Sequence, residues 1–343
     1  MLGAMSSATR PTVLIDLALQ GGGSHGAFTW GVLDRLLDEP WLELAGVSGT
    51  SAGAMNAVAL ADGLMAGGRT GAQASLRRFW EAVGRLGDSL SPPAWLSAWL
   101  GPWNPTGVSA TLSPYQSNPL NFNPLRQVLL DTVDFERVRR CHKTRLYIAA
   151  TDVATGDLQL FNRQQLTVDH ALASACLPQL FQAITIDGRS YWDGGYAGNP
   201  SLMPLITETP ADDLLLVQIN PSRRDATPTR AADIQDRAGE ITFNASLLKE
   251  LRSLAWMRRL MDEERQRGGC AALSPAFERV AHLRLHRLDA TADLAPLGAS
   301  SKLRTHSAFL ARLHTLGRQA ADRWLAAHAN ALGQCGTADW PAV

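Results

Sequence analysis

Short, nearly unbroken apolar runs alternate along the chain with stretches whose apolar residues recur every three or four positions. Val13-Leu14-Ile15-Asp16-Leu17-Ala18-Leu19 is apolar on both faces except at Asp16, the pattern of a strand buried in a parallel sheet. It stops at Gln20 and three glycines. Trp30, Leu33, Leu36 and Leu37 then fall at helical spacing, with Asp34, Arg35 and Asp38 between them. Pro40 ends that helix, Leu42 to Val47 reads as a second strand, and a small-sided helix with Ala52, Ala54, Ala57 and Ala59 follows. Further strands are predicted at 146–150 and 158–161, around the turn Thr155-Gly156-Asp157. A helix over 168–176 stops before Pro178. The runs 183–186 and 190–192 flank Asp187-Gly188, a hairpin turn, and 214–219 is another buried strand.

Beyond Pro221 the pattern changes. Residues 229–267 read as helical, rich in Arg, Leu and Glu, and His282 to His286 alternates as a strand does. Phe309, Leu313, Leu316, Ala320 and Trp324 mark a final amphipathic helix, and residues after Gly333 read as a loose tail. The order of elements predicts an α/β protein: a three-layer α/β/α domain over 13–206 with a mainly parallel central sheet. Residues 1–12 precede it as a flexible N-terminus. Residues 207–343 follow as a mostly helical C-terminal extension that completes the sheet. Residues 84–124 stand apart, with seven prolines from Pro92 to Pro124 and with Trp95, Trp99 and Trp103. Long irregular segments of this kind are often functional loops. The tryptophans either cover the core or form a lid-like, interfacial surface, since Trp favours lipid–water boundaries.

Composition narrows the function. Lys plus Arg and Asp plus Glu each number 32, which argues against a globally basic nucleic-acid surface. Cys141, Cys176, Cys270 and Cys335 are scattered without metal-ligand spacing and read as buried or inert thiols of a reducing cytoplasm. Residues 1–11 show no signal peptide. The longest small-apolar run, Ala52 to Gly67, is broken by Asp62, so any membrane contact is expected to be peripheral. The expectation is a cytoplasmic protein; its oligomeric state is not legible.

Three glycine-bearing segments each follow a predicted strand: Gly21-Gly22-Gly23-Ser24-His25-Gly26, Gly49-Thr50-Ser51-Ala52-Gly53 and Asp193-Gly194-Gly195. In parallel α/β sheets such strand ends share one edge, where sites form. The G-x-S-x-G pattern is that of a nucleophile elbow, with the serine on a tight strand-to-helix turn. Together the segments offer a nucleophile (Ser51), a carboxylate (Asp193) and a loop of unshielded backbone N–H groups (Gly21, Gly22 and Gly23). Acyl transfer needs those parts: a base to take the serine proton, and donors for the oxyanion. No metal or organic cofactor is called for. Two other readings compete. Gly21-x-Gly23-x-x-Gly26 also fits a dinucleotide fingerprint, with Glu39 or Glu43 as the ribose-binding acid. Alternatively, His282, His286 or His306 could complete a Ser-His-Asp triad. Asp152 reads as fixing the turn after its strand, and Arg252, Arg258 and Arg259 as a solvated helix face.

The three motifs, in this order, resemble those of the patatin-like phospholipase family. Ala150-Thr151-Asp152 with Thr155-Gly156, and Ser174 to Phe181, resemble its bacterial branch. The likeness covers roughly 13–206. It implies a serine acyl hydrolase of phospholipids, lysophospholipids and related esters, of phospholipase A, lysophospholipase or carboxylesterase type. Ser51 would be the nucleophile, Asp193 the proton acceptor, and the Gly21–Gly23 backbone the oxyanion hole, without a catalytic histidine. Gly26, Gly49, Gly53, Gly194 and Gly195 would shape the motifs. The partner implied is a lipid or fatty-acyl ester substrate. Transfer to an acceptor other than water, or a non-catalytic lipid-binding role, would use the same pocket. One residue departs from the pattern: His25 stands where the family often has Lys or Arg. Its charge would depend on pH, unless it only packs or hydrogen-bonds at the helix start, the simpler reading.

Overall fold

A computed structural model describes residues 10–90, 112–224, 226–268 and 274–342. The expectations placed on Trp95, Trp99 and Trp103 lie outside these residues. The described residues form one eight-stranded sheet. Its strands are β1 (Val13–Leu19), β2 (Leu42–Thr50), β3 (Arg145–Asp152), β4 (Leu158–Asn162), β5 (Ile184–Ile186), β6 (Arg189–Asp193), β7 (Asp213–Gln218) and β8 (Arg284–Asp289). Their order is β5-β6-β3-β2-β1-β7-β8, with β4 paired to β3. β3, β2, β1, β7 and β8 run parallel; β4 and β6 each pair antiparallel with β3, and β5 pairs antiparallel with β6.

Alternate residues of the central strands face two separate cores. Ile15, Leu17 and Leu19 of β1, with Leu215 and Val217 of β7, pack in one core. That core also holds helices α1 (Gly26–Leu36), α2 (Ala52–Leu90, broken at Gly67-Gly68) and the C-terminal Ser307–His328. Ala18, Leu214 and Leu216 face the other, against Leu247, Leu251 and Leu254 of the long helix Ala231–Gln266. A period of two thus feeds two helical layers, which is the three-layer architecture. No helix of the described residues is long and apolar enough to cross a membrane.

The ends of the strands place the site. Following β1 the chain builds β2 and β3 on one side, then returns to add β7 and β8 on the other. The crevice of such a sheet opens where this order reverses, at the carboxyl ends of β1 and β7. On β3, β4 occupies one edge from Tyr147 to Thr151. The other edge is shared. β2 runs up it to Thr50, opposite Ala149, and β6 comes down it from the far end to Asp193, opposite Ala150. The two strands therefore meet end to end along β3.

Several expectations shift. The predicted strand at 282–286 starts later, since His282 ends the helix Pro275–His282 and Arg284 opens β8. The segment after Gly333 is not loose. Gly333 N–H donates to Asp213 Oδ1 (3.0 Å), and Thr337 and Ala338 N–H donate to Leu285 O (3.0 Å each). Trp340 lies under the Arg258 guanidinium, 4.9 Å from ring centre to Cζ. Arg258 is half-buried rather than solvated and donates to Val280 and Ala281 carbonyls at 2.7 Å, capping a helix end. Cys141 and Cys176 are buried as expected, but Cys335 is exposed.

Candidate active site

Ser51 sits between the last residue of β2 and the first of α2, with φ 54°. A side chain in this left-handed region costs about 1–3 kcal/mol and persists only where the surroundings enforce it. Here they do. Ser51 N–H donates to the Oγ of Ser174, buried at the end of helix Val168–Ser174 (2.9 Å), and Ser51 O accepts from Met55 N–H (3.1 Å). Gly49 and Gly53 close the turn, because a Cβ on Gly49 would lie 2.6 Å from Gly53 O.

Asp193 ends β6 and has no solvent exposure (0%). Its N–H donates to Cys176 O (2.8 Å) and its carbonyl accepts from Thr151 Oγ1 (2.8 Å). Oδ1 accepts from Gly195 N–H (2.8 Å), while Oδ2 accepts no hydrogen bond of ordinary geometry. Gly194 packs on the Ala149 carbonyl, where a Cβ would lie only 2.2 Å away. Burial pushes the Asp193 pKa up to about 7, against the opposing pull of Gly195 N–H and the nearby Ser51 hydroxyl. The hydroxyl is thus close enough to favour the charged form without a formed bond to Oδ2. Such contacts often tighten only once substrate is bound.

The glycine loop lies against the serine: a Cβ on Gly21 would sit 2.8 Å from Ser51 Cβ. Gly21 N–H is already engaged, donating to Asn199 Oδ1 (2.7 Å). Gly21 therefore orients the loop rather than offering a free donor. The N–H groups of Gly22 and Gly23 have no partner among the described residues. Gly23 has φ 59°, which turns the chain into α1, and Gly26 opens that helix against Ala52. A strand-end serine, a dry carboxylate and two unbonded amides thus converge on one crevice.

A family model for patatin-like phospholipases matches residues 17–206. The chain belongs to the patatin-like phospholipase family. No curated protein sequence matches it. Among solved structures it is similar to VipD from Legionella pneumophila (14% identity, TM-score 0.39, 92% of this chain and 67% of that one). It is also similar to ExoU (16% identity, TM-score 0.27, 93% and 76%) and to the SpcU–ExoU complex of Pseudomonas aeruginosa (15% identity, TM-score 0.27, 80% and 52%).

Within this patatin-like site the competing readings lose their residues. Glu43 is exposed and pairs with Leu14 near the start of β1, at the opposite end of the sheet from the glycine loop. Glu39 is held by Arg35 and Trp41. His286 is bonded to Asp213 (2.8 Å) and Thr337 (3.0 Å), His306 faces Asp88 (3.5 Å), and His282 is exposed at a helix end. Asp152 Oδ1 accepts from Ala154 and Thr155 N–H, fixing the turn as expected. His25 is buried with Nε2 on Ser301 Oγ (2.7 Å). Burial and the nearby Lys302 push its pKa down to about 4, so it is neutral at pH 7.

The site also uses residues that no motif marked. Asn220 Nδ2 donates to Gly21 O (2.6 Å), and Gln20 Oε1 accepts from the N–H groups of Ile219 (2.9 Å) and Asn220 (2.8 Å). Asn199 and Asn220 are buried amides at loop positions, 178 and 199 residues from Gly21, and their role depends on strand order.

Proposed function

We propose that the protein is a serine lipid acyl hydrolase working through a Ser51–Asp193 dyad. The observation that carries this reading is the end-to-end meeting of β2 and β6 on β3, which sets a strained serine beside a fully buried, half-bonded carboxylate. Asp193, when ionised, takes the Ser51 proton as Oγ attacks the acyl carbonyl. The oxyanion forms against the Gly22 and Gly23 N–H groups; losing one such donor typically costs about 2.7–4 kcal/mol. Collapse expels the alcohol, which leaves with the proton from Asp193, and an acyl-Ser51 ester remains. Water, deprotonated by the same carboxylate, releases the acid and restores both groups.

A base of this strength suits esters, whose leaving groups need little help, better than amides. The reading extends to phospholipids and lysophospholipids presented at a lipid surface, which the protein would contact peripherally. In support, Leu120 and Phe122 are 91% and 69% exposed, and Asn118 O beside them accepts from Gln182 on the segment that runs from Ser174 to Asp193. The test is fluorophosphonate labelling with p-nitrophenyl ester turnover, for wild type, Ser51→Ala and Asp193→Asn. Labelling confined to chains with Ser51, and turnover reduced at least roughly 10³-fold in both variants, is expected. Undiminished turnover in either variant would sink the dyad.

A further inference from the structure

The 3-10 turn Ala299–Leu303, more than 270 residues beyond the glycine loop, packs directly on it. A Cβ on Gly23 would lie 2.4 Å from the Lys302 backbone oxygen. The Lys302 side chain turns inward, and its Nζ donates to Asn220 Oδ1 at 2.6 Å. The same Asn220 donates through Nδ2 to Gly21 O at 2.6 Å. Gly21 C=O and Gly22 N–H are two ends of one peptide group. An ammonium, a side-chain amide and a backbone amide are therefore linked in series, ending at a donor with no partner among the described residues.

Hydrogen bonds in such a chain polarise one another, and more strongly in a dry site than in water. A donor on Gly21 O draws electron density from the peptide and makes Gly22 N–H a better donor. A cation on Asn220 Oδ1 makes Asn220 a better donor in turn. We propose that Lys302 and Asn220 are positioning residues for the oxyanion loop, carrying the effect of a positive charge to Gly22 N–H without touching substrate. The inference rests on the Ser51 reading above. Its geometry answers the departure at position 25: the neutral His25 supplies no charge there, and a cation comes instead from the C-terminal part of the chain. Asn220 is fixed for the task, since its backbone N–H is held by the buried Gln20 (2.8 Å).

The relay acts on the transition state, so it should show in kcat and not in KM. The variants are Lys302→Met, Lys302→Gln, Lys302→Arg, Asn220→Ala and the double variant Lys302→Met/Asn220→Ala. Each is assayed with a p-nitrophenyl acyl ester and with an alkyl trifluoromethyl ketone, whose serine adduct carries the oxyanion. Lys302→Met should lower kcat roughly tenfold, a fraction of the loss from deleting a whole donor, with KM within about twofold. Ketone affinity should fall by the same factor as kcat. Lys302→Arg should recover most of the activity. The double variant should be no slower than Asn220→Ala alone, because the lysine works through the amide. Lys302→Gln keeps a polar head without charge; it should match Met in kcat and stands in for it if Met unfolds the chain.

Wild-type kcat in the uncharged variants, a loss confined to KM, or losses that multiply in the double variant would overturn the relay while leaving the dyad standing. Wild-type turnover that persists in Ser51→Ala would overturn both.

Discussion

With no solvent contact and one carboxylate oxygen unbonded, Asp193 holds its proton up to about pH 7. As the proposed base it must be ionised, so kcat/KM should fall roughly tenfold for each pH unit below about 7, as read from a pH–rate profile. The same burial has a stability consequence. In the unfolded chain the group titrates near 3.9, so between about pH 4 and 7 the native state binds more protons than the unfolded one. Stability from this group is therefore present below about pH 4, lost as pH rises to about 7, and absent above it. Asp193→Asn removes the charged form and keeps the shape. It should raise Tm by a few degrees at pH 8 and leave it nearly unchanged at pH 4, as measured by calorimetry. An inactive variant that is more stable than its parent is the usual mark of a site held against its own stability.

At the scale of elements, close packing of the motif glycines decides which substitutions the fold accepts. A Cβ on Gly26 would lie 2.5 Å from Ala52 Cβ and 3.0 Å from the Trp80 ring, where α1 and α2 cross beside the site. Gly26→Ala should destabilise by about 1–3 kcal/mol in urea unfolding. Gly239→Ala on the long helix meets nothing within 4 Å and should stabilise by about 0.5–1 kcal/mol, so one chemical change has opposite signs at two places. Element existence was legible because it is local. The unbroken apolar run Leu214–Val217 and the Asp187-Gly188 turn, with φ of 49° and 78°, announce themselves within a few residues. The elbow, the carboxylate turn and the glycine loop were legible as motifs for the same reason. What escaped is long-range. Nothing near Asn199, Asn220 or Lys302 in sequence signals that strand order will bring them to Gly21 and its neighbours. Arg258 looks like any helix-surface arginine until the carbonyls of 280 and 281 are placed beside it.

At the scale of the molecule, the chain's last residues guard a sheet edge. β8 pairs with β7 on one side, and on the other Leu285 O accepts from Thr337 and Ala338. Open edges recruit other strands. Removing residues 336–343 should lower Tm by several degrees and produce concentration-dependent association, visible by light scattering. The tail read as loose because its Gly, Thr, Ala and Pro carry no periodic pattern; its order comes from the partner strand. The meeting of β2 and β6 has a different kind of consequence. Thr50, which precedes Ser51, and Asp193 are indexed to adjacent residues of one strand, Ala149 and Ala150, although much of the chain separates them. Outside the stretch around Ser174 and Cys176, which holds Ser51 and Asp193 in place, chain length between these strands can change without altering that index. Loops elsewhere between these strands are thus free to diverge, while the spacing of Ser51 and Asp193 stays unchanged.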